Sequence, residues 1–236
     1  MAQRPVFIPQ FDTNDEAFVL TKNVEFMWVP GMAFTQRQKS MDSLHSSALQ
    51  LPGLNNILEV SSKSREKLGV SLSAFNLMID NAELEQTYSV ESAFQSSKVF
   101  QDGGPFTELL YKNSREAKRD PRLRESGYLT KFSYLDEDWP IEPQTAFYDW
   151  LYIQALRNQS NPIKDKIFEY DAFTDIEFNP KKSINCQAYS LSLYVSLHRR
   201  GRLEDAMKSK ADFIECVKSA SINNIKQNDT IQKSLF

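Results

Sequence analysis

A chain of 236 residues, 41% hydrophobic and 25% charged, has the apolar content to bury a core and the length of one large domain or of one domain with an extension. Its net charge of −3 excludes the basic balance of a general nucleic-acid binder, and two cysteines (Cys186, Cys216) with two histidines (His45, His198) exclude a disulfide framework and argue against a zinc site. Seven glycines are few for a phosphate-cradling loop, and no run reaches the ~18 apolar residues of a membrane span.

Residues 1 to 20 are polar and punctuated by proline, and read as extended chain or loop. Val24 to Val29 reads as a strand, being rich in aromatic and β-branched residues, and Pro30-Gly31 breaks it. A short helix is expected over Ser40 to Ala48, a strand over Ile57 to Val60, and mixed strand and loop over Leu68 to Asn76. Ser89 is a plausible N-cap for a helix running to about Phe100, stopped by Asp102-Gly103-Gly104-Pro105. Short helices are expected at Phe106 to Tyr111 and Ser114 to Lys118, and a stronger one from Pro143 to Arg157. Asp175 to Ser183 is loop, with a turn at Asn179-Pro180. Helices follow over Asn185 to Arg199 and Leu203 to Ala220, and a polar, frayed tail closes the chain. With no repeat and no linker, the expected class is a single α+β domain, mainly helical, with a small N-terminal β portion. Residues 1–56 form an extension with β elements packed on the main domain, 57–220 the main domain, and 221–236 the tail.

The stretch Tyr88 to Phe100 carries the most chemistry. On a continuous helix Glu91, Gln95 and Lys98 stand at i, i+4 and i+7, and seven steps return to within ~20° of the start. They form one polar stripe beside the face of Val90, Ala93, Phe94 and Ser97. A carboxyl group at the edge of an apolar pocket has its charged form disfavoured and suits a general acid. An amine there is pushed towards its neutral form, which attacks an anomeric carbon and forms a Schiff base. The same pattern also describes an amphipathic helix with a solvated polar edge. Asp175 reads as a site acid, a turn acid or an N-cap, and Asn185 as a cap. Ser114 to Arg122 offers cations for phosphate or is a solvated basic helix end; Lys112 to Arg124 holds six Lys or Arg against two acids. Tyr148, Trp150 and Tyr152 read as core, and both histidines as surface or packing residues.

In order along the chain stand Leu72-Ser-Ala-Phe75-Asn76, Glu91-x-x-Phe94-Gln95-x-x-Lys98, Ser114-x-x-Ala117, Ala155-Leu156-Arg157, Asp175-Ile-Glu-Phe178-Asn179 and Asn185-x-x-Ala188. This succession, over about residues 57 to 200, resembles the NADAR family, small enzymes related to YbiA-type N-glycosidases. Glu-x-x-Phe-Gln-x-x-Lys is the specific element. Departures are Ser92 where the family often has His, Phe178-Asn179 in place of Trp-Gly, and Ala188 in place of Gly. The N-terminal part, with Trp28-Val-Pro-Gly31 and Leu44-His45, resembles the branch paired with DarT-type DNA ADP-ribosylating toxins.

The resemblance implies a NADAR-like catalytic domain and a cytoplasmic antitoxin that removes ADP-ribose from guanine in DNA, with a cognate DarT-type toxin as partner and no membrane. It implies Glu91 as acid, Lys98 as Schiff-base amine and Asp175 as orienting or proton-transfer group. Phe75 and Phe178 would flank the base, Asn76 and Asn185 would bind ribose or amide edges, Gln95 would be a further ligand-binding residue, and Arg119 or a neighbouring cation would face the pyrophosphate. No metal or cofactor is expected. Two alternatives stand beside this reading: the same chemistry on a small ribosylated metabolite of riboflavin-pathway type, and an ADP-ribose-binding antitoxin without turnover.

Overall fold

The computed structural model describes residues 1–12, 17–31, 33–82 and 85–218. The chain opens with strands β1 (Ala2–Pro9) and β2 (Val19–Phe26), helix α1 (Phe34–Ala48), strand β3 (Ile57–Glu59) and helix α2 (Lys67–Ser71). A hairpin of β4 (Met78–Asn81) and β5 (Gln86–Ser89) leads straight into α3 (Val90–Ser96), and then β6 (Lys98–Phe100). A 3-10 helix (Thr107–Tyr111), α4 (Ser114–Arg119) and α5 (Arg122–Glu125) precede β7 (Leu129–Tyr134) and β8 (Glu137–Trp139). The remainder is α6 (Ala146–Arg157), α7 (Asn161–Ile167), β9 (Ala172–Thr174), α8 (Gln187–Arg199) and α9 (Leu203–Ala206), followed by a helical stretch over 210–218. This is a single α+β domain, as the composition and element pattern predict. Among the described residues no helix is long and apolar enough to cross a membrane.

Three small sheets organise it: β2-β1-β9-β3, β4-β5 and β6-β7-β8. In the first, β1 pairs antiparallel with β2 from Ala2↔Phe26 to Pro9↔Val19, while β3 and β9 run parallel. The prolines at 5 and 9 made residues 1 to 20 read as loop. They are tolerated because the β1–β9 ladder is confined to Phe7 against Phe173, so neither proline is asked for a donor there. α8 packs across β1 and β9, and α6 lies against α8 and α3. The central core gathers rings around Phe147: Phe132 at 4.7 Å, Trp139 at 5.5 Å, Tyr134 at 6.0 Å and Phe94 at 6.2 Å between centroids. A second cluster, with Val6, Phe26, Met41, Leu44 and Ile57, fills the space beneath α1.

Several expectations need correction. The strand expected at 24–29 lies earlier, and the helix expected at 40–48 begins at Phe34. Leu68 to Asn76 is a helical turn and tight turns, not strand. It packs closely, since a Cβ on Gly69 would fall 2.0 Å from the Glu59 carbonyl oxygen. The helix from Ser89 stops at Ser96: the hydroxyls of Ser96 and Ser97 both return to the Ala93 carbonyl, at 2.9 and 2.7 Å, and Val99-Phe100 then joins β7. Lys98 therefore sits in a strand opposite Phe132, and the single helical stripe of Glu91, Gln95 and Lys98 does not exist. Gly103-Gly104 follows β6 rather than a helix. β4, β5, α5, β7, β8, α7 and β9 had no sequence forecast; β7 and β8 are short and polar on one side, and β9 is three residues inside a loop-like run. The last helix is broken after Ala206, and its expected end at 219–220 and the tail lie outside the described residues.

Phe147 is 1% exposed, so Phe147→Ala should cost about 3–5 kcal/mol by leaving a cavity among four rings. Urea unfolding measures this; a loss below about 1 kcal/mol would mean the rings collapse onto the gap.

Candidate active site

A cleft of about 950 Å³ opens between the segment after β3, the turn after α2, α4 and the loop after β9. Lys63, Arg115, Lys118 and Arg119 line it as cations, with Glu177 as the carboxylate, and Phe75, Asn76 and Gln187 complete the walls used below.

α3 packs against α4 beside this cleft, and Glu91, Gln95 and Lys98 are not part of the cleft lining. The N-cap of α3 is Ser89, whose Oγ accepts the Ser92 N–H at 3.0 Å. Ser114 Oγ lies 2.7 Å from Ser89 Oγ and 2.8 Å from the Phe75 carbonyl oxygen, and Ser92 Oγ donates to the Lys112 carbonyl at 2.9 Å. This hydroxyl cluster ties α3 to α4 and to the turn carrying Phe75. Ser92, where the family pattern often has His, is buried within it.

Glu91 lies in the first turn of α3 and is 4% exposed. Gln95 Nε2 donates to its Oε1 at 2.8 Å, and Lys118 Nζ stands 3.3 Å from the same oxygen. Gln95 Oε1 is buried with no hydrogen-bond partner among the described residues. Lys98 reaches the same place from β6, its Nζ 4.7 Å from the centre of the Phe94 ring. Burial pushes the Lys98 amine down to about 8; the Glu91 charge pulls it back up and the Lys118 charge pushes it further down. The backbone fixing Lys98 is pressed against Gly104, at φ +88°, where a Cβ would fall 2.3 Å from the Lys98 carbonyl oxygen. The Phe100 N–H donates to the Gly103 carbonyl at 2.7 Å.

Lys118 is the residue that sequence reasoning passed over. Its side chain is 54% exposed on the cleft wall, yet its Nζ reaches Glu91 and lies 4.9 Å from the Phe75 ring centre. It thus lies between the cleft and the buried carboxylate. The basic run at 114–122 signalled cations, but not which of them turns inward.

The other expected residues divide. Phe75, Asn76 and Arg119 line the cleft, and the Asn76 amide donates to the Val70 carbonyl and Ser73 Oγ. Asp175 is buried behind it. Its Oδ1 accepts the N–H groups of Glu177 and Phe178 at 2.9 and 3.2 Å, and its Oδ2 accepts Gln187 Nε2 at 3.0 Å, so Gln187 presents this corner to the cleft. Burial raises the Asp175 pKa above the usual carboxylate range. Phe178 turns towards the core, 6.4 Å from the Phe7 ring, and does not line the cleft. Asn185 also stands off it; the N-cap of α8 is Cys186, not Asn185. Glu59 was likewise missed, although an acid inside the apolar run Ile57 to Val60 is itself a sign of a built polar site.

Competitive labelling of amines with trace acylating reagent across pH, read by peptide mass, should place the Lys98 midpoint at about 8. Glu91→Gln should move it lower and Lys118→Met higher, because the carboxylate stabilises the ammonium and the second amine opposes it. A midpoint among those of exposed lysines, about 10.4, would contradict the sheltered position.

No curated protein matches the chain. The family model described as DarT1-associated NADAR antitoxin matches residues 2–227, nearly the whole sequence, and the chain therefore belongs to that family.

Proposed function

We propose that the protein is a glycohydrolase that cleaves the bond between the anomeric carbon of ADP-ribose and a guanine amino nitrogen in DNA, reversing the product of a DarT-type toxin. The observation that carries this reading is a half-buried amine of lowered pKa, Lys98, near a buried carboxyl group, Glu91, which Lys118 of the cation-lined cleft reaches.

Lys98 passes its proton to Glu91 and, as the neutral amine, attacks the anomeric carbon. The bond to the guanine nitrogen breaks as Glu91 passes a proton to that nitrogen, and the base leaves as the free amine. One proton of the attached amine moves to the ring oxygen, the ring opens, and a protonated imine remains. Water adds to the imine carbon and gives up a proton to Glu91, the carbon–nitrogen bond breaks, and ADP-ribose departs as Lys98 regains its amine. Gln95 holds Glu91 and offers its unused Oε1 to a substrate hydroxyl. Arg115, Arg119 and Lys63 receive the pyrophosphate, where paired N–H donors of arginine suit its oxygens, and Phe75 provides a ring face for a base. Lys118 exchanges its ion pair with Glu91 for a phosphate oxygen as substrate enters, which frees the carboxyl group. Asp175 acts through Gln187, as a positioning residue.

Borohydride reduction with ADP-ribose, read by intact mass, should trap a covalent adduct on the wild type and none on Lys98→Ala. Glu91→Gln should lower turnover of an ADP-ribosylated oligonucleotide by about 100-fold or more while leaving the unfolding midpoint near wild type. Full activity of Lys98→Ala would overturn the covalent route. Faster release from a ribosylated pyrimidine than from modified DNA would move the substrate assignment to a small metabolite.

A further inference from the structure

A second pocket, of about 260 Å³, lies beside the main cleft and shares Glu177 with it. Arg4 from β1, Arg37 from α1, Lys182 from the loop after β9, and Trp28 line it. The Trp28 ring centre is 4.6 Å from the Arg37 guanidinium carbon and 5.4 Å from that of Arg4, so one indole holds two guanidinium groups in place. Phe26 braces the indole from the side, with the ring centres 6.2 Å apart.

These cations are under-neutralised. Arg37 meets Glu177 through Nε at 3.2 Å. Arg4 donates from one terminal nitrogen to the Gln3 carbonyl at 3.0 Å, while its Nε is buried with no hydrogen-bond partner among the described residues. Three cations thus face one carboxylate within the pocket lining, with buried Asp175 as a second acid near Arg4. Two guanidinium groups on one indole repel each other, and a strip of this kind in a chain of net charge −3 is local, not a by-product of a basic surface. Guanidinium groups with free N–H edges match the oxygens of a phosphate.

We propose that Arg4, Arg37 and Lys182 around Trp28 form a second anion site that binds a phosphodiester of the DNA strand flanking the modified base. The proposal rests on the glycohydrolase reading for the identity of the strand. The position favours a polymer: the pocket continues the cleft past Glu177, and the cleft already has Lys63, Arg115 and Arg119 for the pyrophosphate of ADP-ribose.

The test compares two ligands on each protein. One is an unmodified, fluorescein-labelled single-stranded oligonucleotide followed by anisotropy from low to moderate salt, and the other is ADP-ribose followed by calorimetry. In the Arg4→Gln/Arg37→Gln variant, oligonucleotide affinity should fall about tenfold, and the salt slope should lessen by about 1 for each phosphate that is no longer neutralised. ADP-ribose affinity should stay within about twofold, because its own cations are untouched. Should the double variant fail to fold, Lys182→Gln on the exposed loop should lessen the same slope. An unchanged oligonucleotide affinity and slope in the folded variants overturns the proposal. So does an equal loss for ADP-ribose, which would assign these arginines to the pyrophosphate instead. If the wild type binds the strand through these residues yet releases no ADP-ribose from modified DNA, the anion site is supported and the glycohydrolase reading fails on its own.

Discussion

Glu91 is buried and Lys98 half-buried at the same place, although they belong to different elements. Burying a carboxylate costs several kcal/mol unless partners replace its water, and here Gln95 and Lys118 supply them. The burial that costs stability at Glu91 is also what lowers the Lys98 pKa, while the Glu91 charge limits how far that lowering goes. An amine and an acid on an open helix face would have neither property. The short helix, the serine cluster that seals its start and the Gly104 backbone against Lys98 all serve to bring the two groups under one roof.

The N-terminal strands matter to the same cleft by a longer route. β1 stands between β2 and β9, with Phe7 opposite Phe173, and β9 runs directly into the Asp175 loop. That loop contributes Glu177 to both pockets, and α8 begins after it with Gln187 on the cleft wall. Strands β1 and β2 thus reach the cleft through the strand that orders its far wall, and Arg4 on β1 with Arg37 on α1 reach the adjoining pocket directly.

The sequence made some of this readable. The class, the Ser89 cap, α4, α6 and most of α8 follow from periodicity and capping chemistry, and the Glu-x-x-Phe-Gln-x-x-Lys spacing picked out three residues that do converge. Their convergence came about for a different reason than helical periodicity. Two serines turned back on Ala93, the helix ended, and a strand delivered the lysine. Short strands such as β8 and β9 are decided by partners distant in sequence, which local pattern does not contain. Lys118 was hidden among neighbours of the same charge, because only tertiary packing determines which member of a basic run turns inward. Phe178 had the right type for a base platform, but packing against Phe7 claimed it.

The loop after β9 shows how a wall of the cleft is kept rigid by charges that are themselves restrained. Glu59, buried within β3, accepts Ser61 Oγ at 2.6 Å, Thr174 Oγ1 at 2.8 Å and the Ile176 N–H at 2.8 Å. His45 Nε2 lies 2.8 Å from the Thr174 hydroxyl. Burial holds His45 down to about 4, so the ring is neutral and adds no cation to offset the acid. Burial raises Glu59, and the charge of nearby Asp175 raises it further. Two carboxyl groups so placed resist ionising together. The loop is therefore anchored at both ends by hydrogen bonds to two buried acids, and Glu177 and Gln187 inherit their positions from that arrangement rather than from contacts of their own with solvent.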